Sequence, residues 1–104
     1  MSSVCREAVI VMGGKSVRVR IRGRVQGVWY RGWITGHATS LGLDGWVRNR
    51  HDRTVEAVFS GPSDKVDEMI DACWQGPELA RVELVQVEDE TGEIDNGFEQ
   101  KATV

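Results

Sequence analysis

Two short stretches of the sequence carry residue types that could act on a phosphoryl group. The first is GRVQGVWYR, Gly23 to Arg31. It joins a run of alternating apolar and basic residues to a segment with helical spacing. A chain that leaves a strand and enters a helix presents backbone N–H groups without intrahelical partners, and the helix N-terminus adds partial positive charge. Gly23 and Gly27 let such a loop turn tightly and bring its backbone close to a ligand, as a phosphate cradle requires. The Gly-Lys-Ser/Thr ending of a nucleotide-binding P-loop is missing. Arg31 stands beside the loop. A guanidinium can hold two phosphate oxygens at once and stays charged at any working pH. No Asp or Glu occurs from Lys15 through Leu43, so the local sequence supplies no carboxylate to occupy it.

The second stretch is GWVRN, Gly45 to Asn49. Asn49 ends a face shared with Leu43, Gly45 and Val47, and its side-chain amide could orient a water molecule. Asparagine also commonly precedes a turn, which leaves a plain turn role open.

The elements that must position these residues follow from hydrophobic period. SVRVRIR alternates strictly, with Val17, Val19 and Ile21 on one face and Arg18, Arg20 and Arg22 on the other, as a half-buried strand does. From Tyr30 to Leu41 the period becomes helical, through Tyr30, Ile34, Ala38 and Leu41. Gly32 and Gly36 weaken that helix, so packing must support it, and Gly42 fits its stop. LDGWVRN and RTVEAVF read as two strands joined by the polar turn NRHDRT. Pro62 is expected at the first position of a second helix, with Asp64 in its first turn. Val66, Met69, Ile70, Cys73 and Trp74 form its apolar stripe, and Gly76-Pro77 ends it. RVELVQVE is a further strand whose apolar parity slips between Leu84 and Val85, and GFEQKAT could add a short terminal strand. The fold class is therefore α+β: a ferredoxin-like βαββαβ sandwich, an antiparallel sheet with two helices on one face and a possible short C-terminal extra strand. That fold hosts many functions and names none.

At 104 residues the chain fits one domain, 15–104, after an expected flexible N-terminal tail, 1–14. The run Ala8 to Met12 lacks the features of a signal peptide, and no stretch is long enough to span a membrane, so a cytoplasmic protein is expected. The net charge of −3 argues against a general nucleic-acid or membrane binder. Charge is nonetheless segregated: bases crowd Lys15 to Arg31 and acids dominate Glu78 to Asp95, which suggests a focused anion site. Cys5 and Cys73 have no metal-ligand spacing and read as a tail thiol and a core thiol.

GRVQGVWYR resembles the signature of the acylphosphatase family, and GWVRN resembles its second signature. The match in order and spacing runs from about Lys15 to Val87. The resemblance implies a small hydrolase of carboxyl-phosphate mixed anhydrides that needs neither metal nor organic cofactor. It makes Arg31 the phosphate-binding arginine and Asn49 the residue that holds the attacking water. The backbone amides of Arg24, Val25, Gln26, Gly27, Val28, Trp29 and Tyr30 become the phosphate cradle. The implied partner is a small acyl phosphate, with inorganic phosphate or sulfate able to occupy the site of a monomer, and with neither nucleic acid nor membrane. The chemistry agrees: a carboxylate departs without a general acid, and phosphoryl transfer needs chiefly positioning and charge stabilisation.

Several positions depart from the family pattern. Trp29 stands at a variable position, either walling the site, touching the acyl group, or simply exposed. Tyr30 replaces a phenylalanine and needs a hydroxyl partner. Arg53 stands where the hairpin turn is expected to carry glycine, and Gln100 where the last strand is expected to be apolar. His51 and His37 read as a solvated turn residue and a structural or exposed one. Trp33, Trp46 and Trp74 read as packing residues. The rival reading is a non-catalytic module of the same fold, RNA-binding or regulatory, suggested by the stripe Arg18, Arg20 and Arg22. RNA-binding sheets stack bases on aromatics of the central strands, where this first strand has arginines, and ion pairing with Glu56 or carboxylates of the last strand is the expected role of the stripe.

Overall fold

The computed structural model describes residues 14–104. The proposed tail and Cys5 lie outside the described residues, apart from Gly14, the first residue of a strand. That strand, β1 (Gly14–Arg24), is followed by α1 (Tyr30–Ser40), β2 (Asp44–Asn49), β3 (Val55–Pro62), α2 (Ser63–Gln75), β4 (Arg81–Asp89) and β5 (Phe98–Gln100). The sheet order is β4-β1-β3-β2-β5. The four long strands pair antiparallel, and Val19 faces Ala57 on one side and Val87 on the other. β5 joins β2 in parallel, with Gly45 opposite Phe98, so the extra strand makes the expected antiparallel sheet a mixed one.

The period-two and helical patterns meet in one core. Val17, Val19 and Ile21 of β1, Val47 of β2, and Val55, Ala57 and Phe59 of β3 are buried with Tyr30, Ile34 and Ala38 of α1 and Val66, Met69 and Cys73 of α2. α1 packs on β2 and β5, and α2 on β1, β3 and β4. Trp74 is not a core residue: it is 46% exposed. The stripe of α2 is centred on Val66, Met69 and Cys73, and one residue further on the helix has turned about 100° away. Pro62 also falls one position earlier than expected. It ends β3 and precedes α2, its φ of −57° and ψ of 139° being those of an extended residue at a helix entrance.

The parity slip in β4 is a bulge. Arg22 faces Leu84 while Gly23 faces Val82, so Glu83 is the extra residue, one position before the slip in the sequence. The bulge lets Val82 and Val85, three residues apart, both pack against the core. Gly23 permits it with a φ of 125°, and a Cβ there would lie 2.8 Å from the Glu83 nitrogen and overlap the Arg81 carbonyl.

On the other face of the sheet two arginines of the basic stripe, Arg18 and Arg20, are ion-paired, and Arg22 forms no ion pair among the described residues. Arg18, Arg48 and Arg50 all reach Glu56, which is 2% exposed; Arg18 also binds Glu90, and Arg20 pairs with Asp52. Burial raises the Glu56 pKa, but the hydrogen bonds from Arg48, Arg50 and Arg18 more than offset this and hold it below the usual carboxylate range. Trp46 lies beneath the guanidinium groups of Arg48 and Arg18, 4.7 and 5.8 Å from its ring centre. No helix of the described residues is long and apolar enough to cross a membrane. Buried Cys73 is a free thiol whose pKa burial pushes up to about 12.

Candidate active site

β1 runs through Arg24, opposite Arg81, so the loop between β1 and α1 is Val25 to Trp29, one residue shorter at its start than the expected cradle. Two apolar side chains hold it down: Val25 is buried, and Val28 packs on the core. Gly27 turns the chain with a φ of 77°. Trp29 then enters α1 in the left-handed conformation, φ 66° and ψ 24°. No side chain caps this helix, and its first turn contains no acid. No N–H group from Val25 to Gly32 donates to an acceptor among the described residues; the first to do so is Trp33, to the Trp29 carbonyl at 3.1 Å. A run of free donors at a helix N-terminus is an anion site by construction.

Asn49 reaches this loop from the end of β2. A cleft of about 180 Å³ is lined by Val25, Gly27, Trp29, Tyr30, Arg31, Gly32, Asn49 and Gln100. It brings Arg31 and Asn49 together across the fold. Arg31 forms no ion pair among the described residues. Asn49 Oδ1 is buried and without a hydrogen-bond partner among the described residues. Leaving such an acceptor unsatisfied costs about 1–3 kcal/mol, so its retention needs a reason. Larger depressions, of about 520 Å³ beside Arg24, Arg50 and Arg53 and about 370 Å³ beside Arg18 and Arg20, include neither Arg31 nor Asn49.

Two glutamines matter in ways the sequence did not indicate. The Gln26 side chain donates to the carbonyls of Arg50 and Thr54, at 2.8 and 2.9 Å. It ties the loop to the hairpin that follows Asn49, whereas only its backbone amide was expected to matter. Gln100 stands in a strand that docks despite its polar residue. Phe98 stacks on Phe59 with ring centres 5.6 Å apart, and the Val104 N–H reaches the Asn49 carbonyl at 3.3 Å. Gln100 is thus carried to the cleft wall. A glutamine in place of an apolar strand residue was the one available signal for it.

Among the described residues no carboxylate or imidazole lines the cleft. Tyr30 does, but its hydroxyl donates to the Cys73 carbonyl at 2.6 Å, and burial raises its pKa far above the ordinary phenol value. His51 and His37 are exposed, His51 in the turn and His37 beside Trp33. Among the described residues no group of three or more His, Cys, Asp or Glu side chains is placed to hold a metal ion. The arrangement can therefore bind a tetrahedral anion through N–H groups and a guanidinium, and can fix a water molecule beside it through an amide oxygen.

Comparison with known proteins gives one result. The profile of the family described as Acylphosphatase matches residues 17–100. A curated acylphosphatase from Rhizorhabdus wittichii is 53% identical over 87 residues, covering 84% of this chain and 88% of that protein. One from Rhodospirillum rubrum is 51% identical over 90 residues, covering 86% and 99%. The solved structure of an acylphosphatase from Coxiella burnetii superposes with a TM-score of 0.83 at 29% identity, over 97% of this chain and 100% of the other. That of the acylphosphatase from Bacillus subtilis gives 0.80 at 30% identity, over 83% and 97%.

Proposed function

The chain belongs to the acylphosphatase family and hydrolyses acyl phosphates, and within that reaction we propose that Arg31 and the loop amides hold the phosphoryl group while Asn49 holds the water. The observation that carries this reading is the Oδ1 of Asn49, unpartnered among the described residues, in the same cleft as an Arg31 and loop N–H groups that are likewise unpaired among them. The proposed cradle is made of the backbone amides of Arg24, the last residue of β1, through Tyr30, the first of α1. Water donates one hydrogen to Asn49 Oδ1 and attacks phosphorus. A bond forms from the water oxygen to phosphorus, and the bond from phosphorus to the carboxyl oxygen breaks. The electron pair leaves with the carboxylate, and the water proton passes to a phosphoryl oxygen. N–H groups and the guanidinium stabilise charge that is spread over the equatorial oxygens in the transition state. Arg31, Asn49 and the loop come from one chain, which supports action as a monomer. A cytoplasmic location and occupation of the cleft by inorganic phosphate or sulfate complete the proposal.

Hydrolysis of benzoyl phosphate in excess chelator, with inorganic phosphate as competitor, separates the two roles. Arg31→Ala should lose about 100- to 1000-fold in kcat/KM and with it the inhibition by phosphate. Asn49→Ala should lose turnover on a similar scale yet stay inhibited by phosphate. Wild-type turnover in Asn49→Ala would falsify its water-holding role.

A further inference from the structure

Trp29 is held in a conformation that bulky residues rarely adopt, with a φ of 66° and no glycine to relieve it. It is 71% exposed, the most exposed large apolar side chain among the described residues. Its indole packs on Gly32: a Cβ there would overlap the indole nitrogen and lie 2.6 Å from Cε2. Beyond it runs a groove of about 340 Å³, lined by Trp29, Gly32, Trp33, Gly36, His37 and Ser40. The rings of Trp33 and His37 meet at 4.1 Å between centres and 44° between planes on this side of α1. At Gly36 a Cβ would meet nothing within 4 Å, so the groove is open there. Two glycines in a helix interior each cost about 1 kcal/mol relative to alanine. A strained tryptophan and two helix glycines are three local departures that serve one groove.

The groove adjoins the catalytic cleft, sharing Trp29 and Gly32 with it, and includes no residue of β2 or of the hairpin. In-line displacement places the attacking water and the departing carboxylate on opposite sides of phosphorus. With water at Asn49, the acyl group must leave on the side away from β2. We infer that this groove is the acyl-group subsite and that it selects acyl phosphates with an aromatic or extended apolar acyl group. The inference rests on the reading of the cleft as the phosphoryl site. An aromatic ring lies against the outer side of the Trp29 indole and over the bare helix backbone at Gly36. An acetyl group has neither a ring nor a chain to make that contact.

The ratio of kcat/KM for benzoyl phosphate to that for acetyl phosphate reads the groove, because the phosphoryl site is common to both. Trp29→Ala should lower that ratio about tenfold, by removing one aromatic contact. Gly36→Leu should lower it on a similar scale by filling the groove, and it also raises helix propensity, so the variant tests the groove without weakening α1. Retention of the wild-type ratio in either variant, including through an equal loss on both substrates, overturns the inference. Failure of the phosphoryl-site reading shows elsewhere: Arg31→Ala would then keep its inhibition by phosphate, whatever the ratio does.

Discussion

Asn49 and Arg31 are each conspicuous for what they lack. Among the described residues, one is a buried amide oxygen with no donor, the other a guanidinium with no carboxylate. Native proteins satisfy nearly all buried polar atoms, so such lapses gather where a ligand completes the set. Tyr30 shows the opposite case. Its hydroxyl, the feature that distinguishes it from the phenylalanine usual in the family, satisfies the Cys73 carbonyl near the end of α2 and thereby joins the two helices. Tyr30→Phe leaves that carbonyl without the bond and should cost about 1–2 kcal/mol. For a domain of this size that is a fall of about 4–16 °C in the melting midpoint. A midpoint at or above wild type would mean that burying the hydroxyl costs as much as its hydrogen bond returns.

Elements rather than residues decide whether the loop meets Asn49. β1 ends opposite the β4 bulge, which Gly23 accommodates, the loop is pinned by Val25 and Val28, and Gln26 ties it to the β2–β3 hairpin. That hairpin keeps its turn without glycine: Arg53 takes a φ of 75°, and the Asp52 carboxylate binds the Thr54 N–H and hydroxyl at 3.0 and 2.6 Å. The Arg50 and Thr54 carbonyls also accept from Arg53 and Arg50, at 3.0 and 2.9 Å, so removing the Gln26 side chain orphans neither. Gln26→Ala should therefore cost only about 1–2 kcal/mol of stability. Its effect on catalysis should be larger, about 10- to 100-fold in kcat/KM, because a misplacement near 1 Å is felt strongly in positioning catalysis. Steady-state kinetics beside urea unfolding measures both, and kcat/KM within twofold of wild type would mean that Val25 and Val28 hold the loop alone.

At the scale of the whole molecule, the two faces of the sheet divide the labour. The helix-covered face holds the apolar core, and the other is closed by charge, with Glu56 beneath Arg18, Arg48 and Arg50. The folded pKa of Glu56 lies below its unfolded value, so its stabilisation is fully present above the ordinary carboxylate pKa of about 4.3. It is lost as pH falls through the folded value. Glu56→Gln should cost on the order of 2–3 kcal/mol at pH 7, at the low end for a buried pair because the arginines reach solvent. The variant should also lose less stability than wild type as pH drops below about 4.5. The slope that remains belongs to Asp52 and Glu90, whose carboxyls are also held below their usual range, chiefly by the Thr54 hydroxyl and by the Gly92 N–H. Urea unfolding between pH 3 and pH 7 checks this, and identical slopes in the two proteins would remove Glu56 from the acid transition.

Short-range pattern alone determined much of this protein. Alternation in SVRVRIR, the spacing Tyr30-Ile34-Ala38 and the glycines that punctuate them define βαββαβ, because period and turn chemistry are properties of neighbouring residues. GRVQGVWYR and GWVRN likewise name the residues of the cleft other than Gly32 and Gln100, since a loop amide, an arginine and an asparagine keep their chemistry in any fold. Contacts across the chain were decided only by tertiary structure. The tie from Gln26 to Arg50 and Thr54, the wall that Gln100 supplies, the parallel docking of β5 and the exposure of Trp74 all depend on partners far away in sequence. Period cannot carry such information, because it records which face a residue takes but not what lies opposite. The meeting of Arg31 with Asn49 belongs to this second class: pairing of β1 and β2 on either side of β3 sets the ends of both strands beside the start of α1.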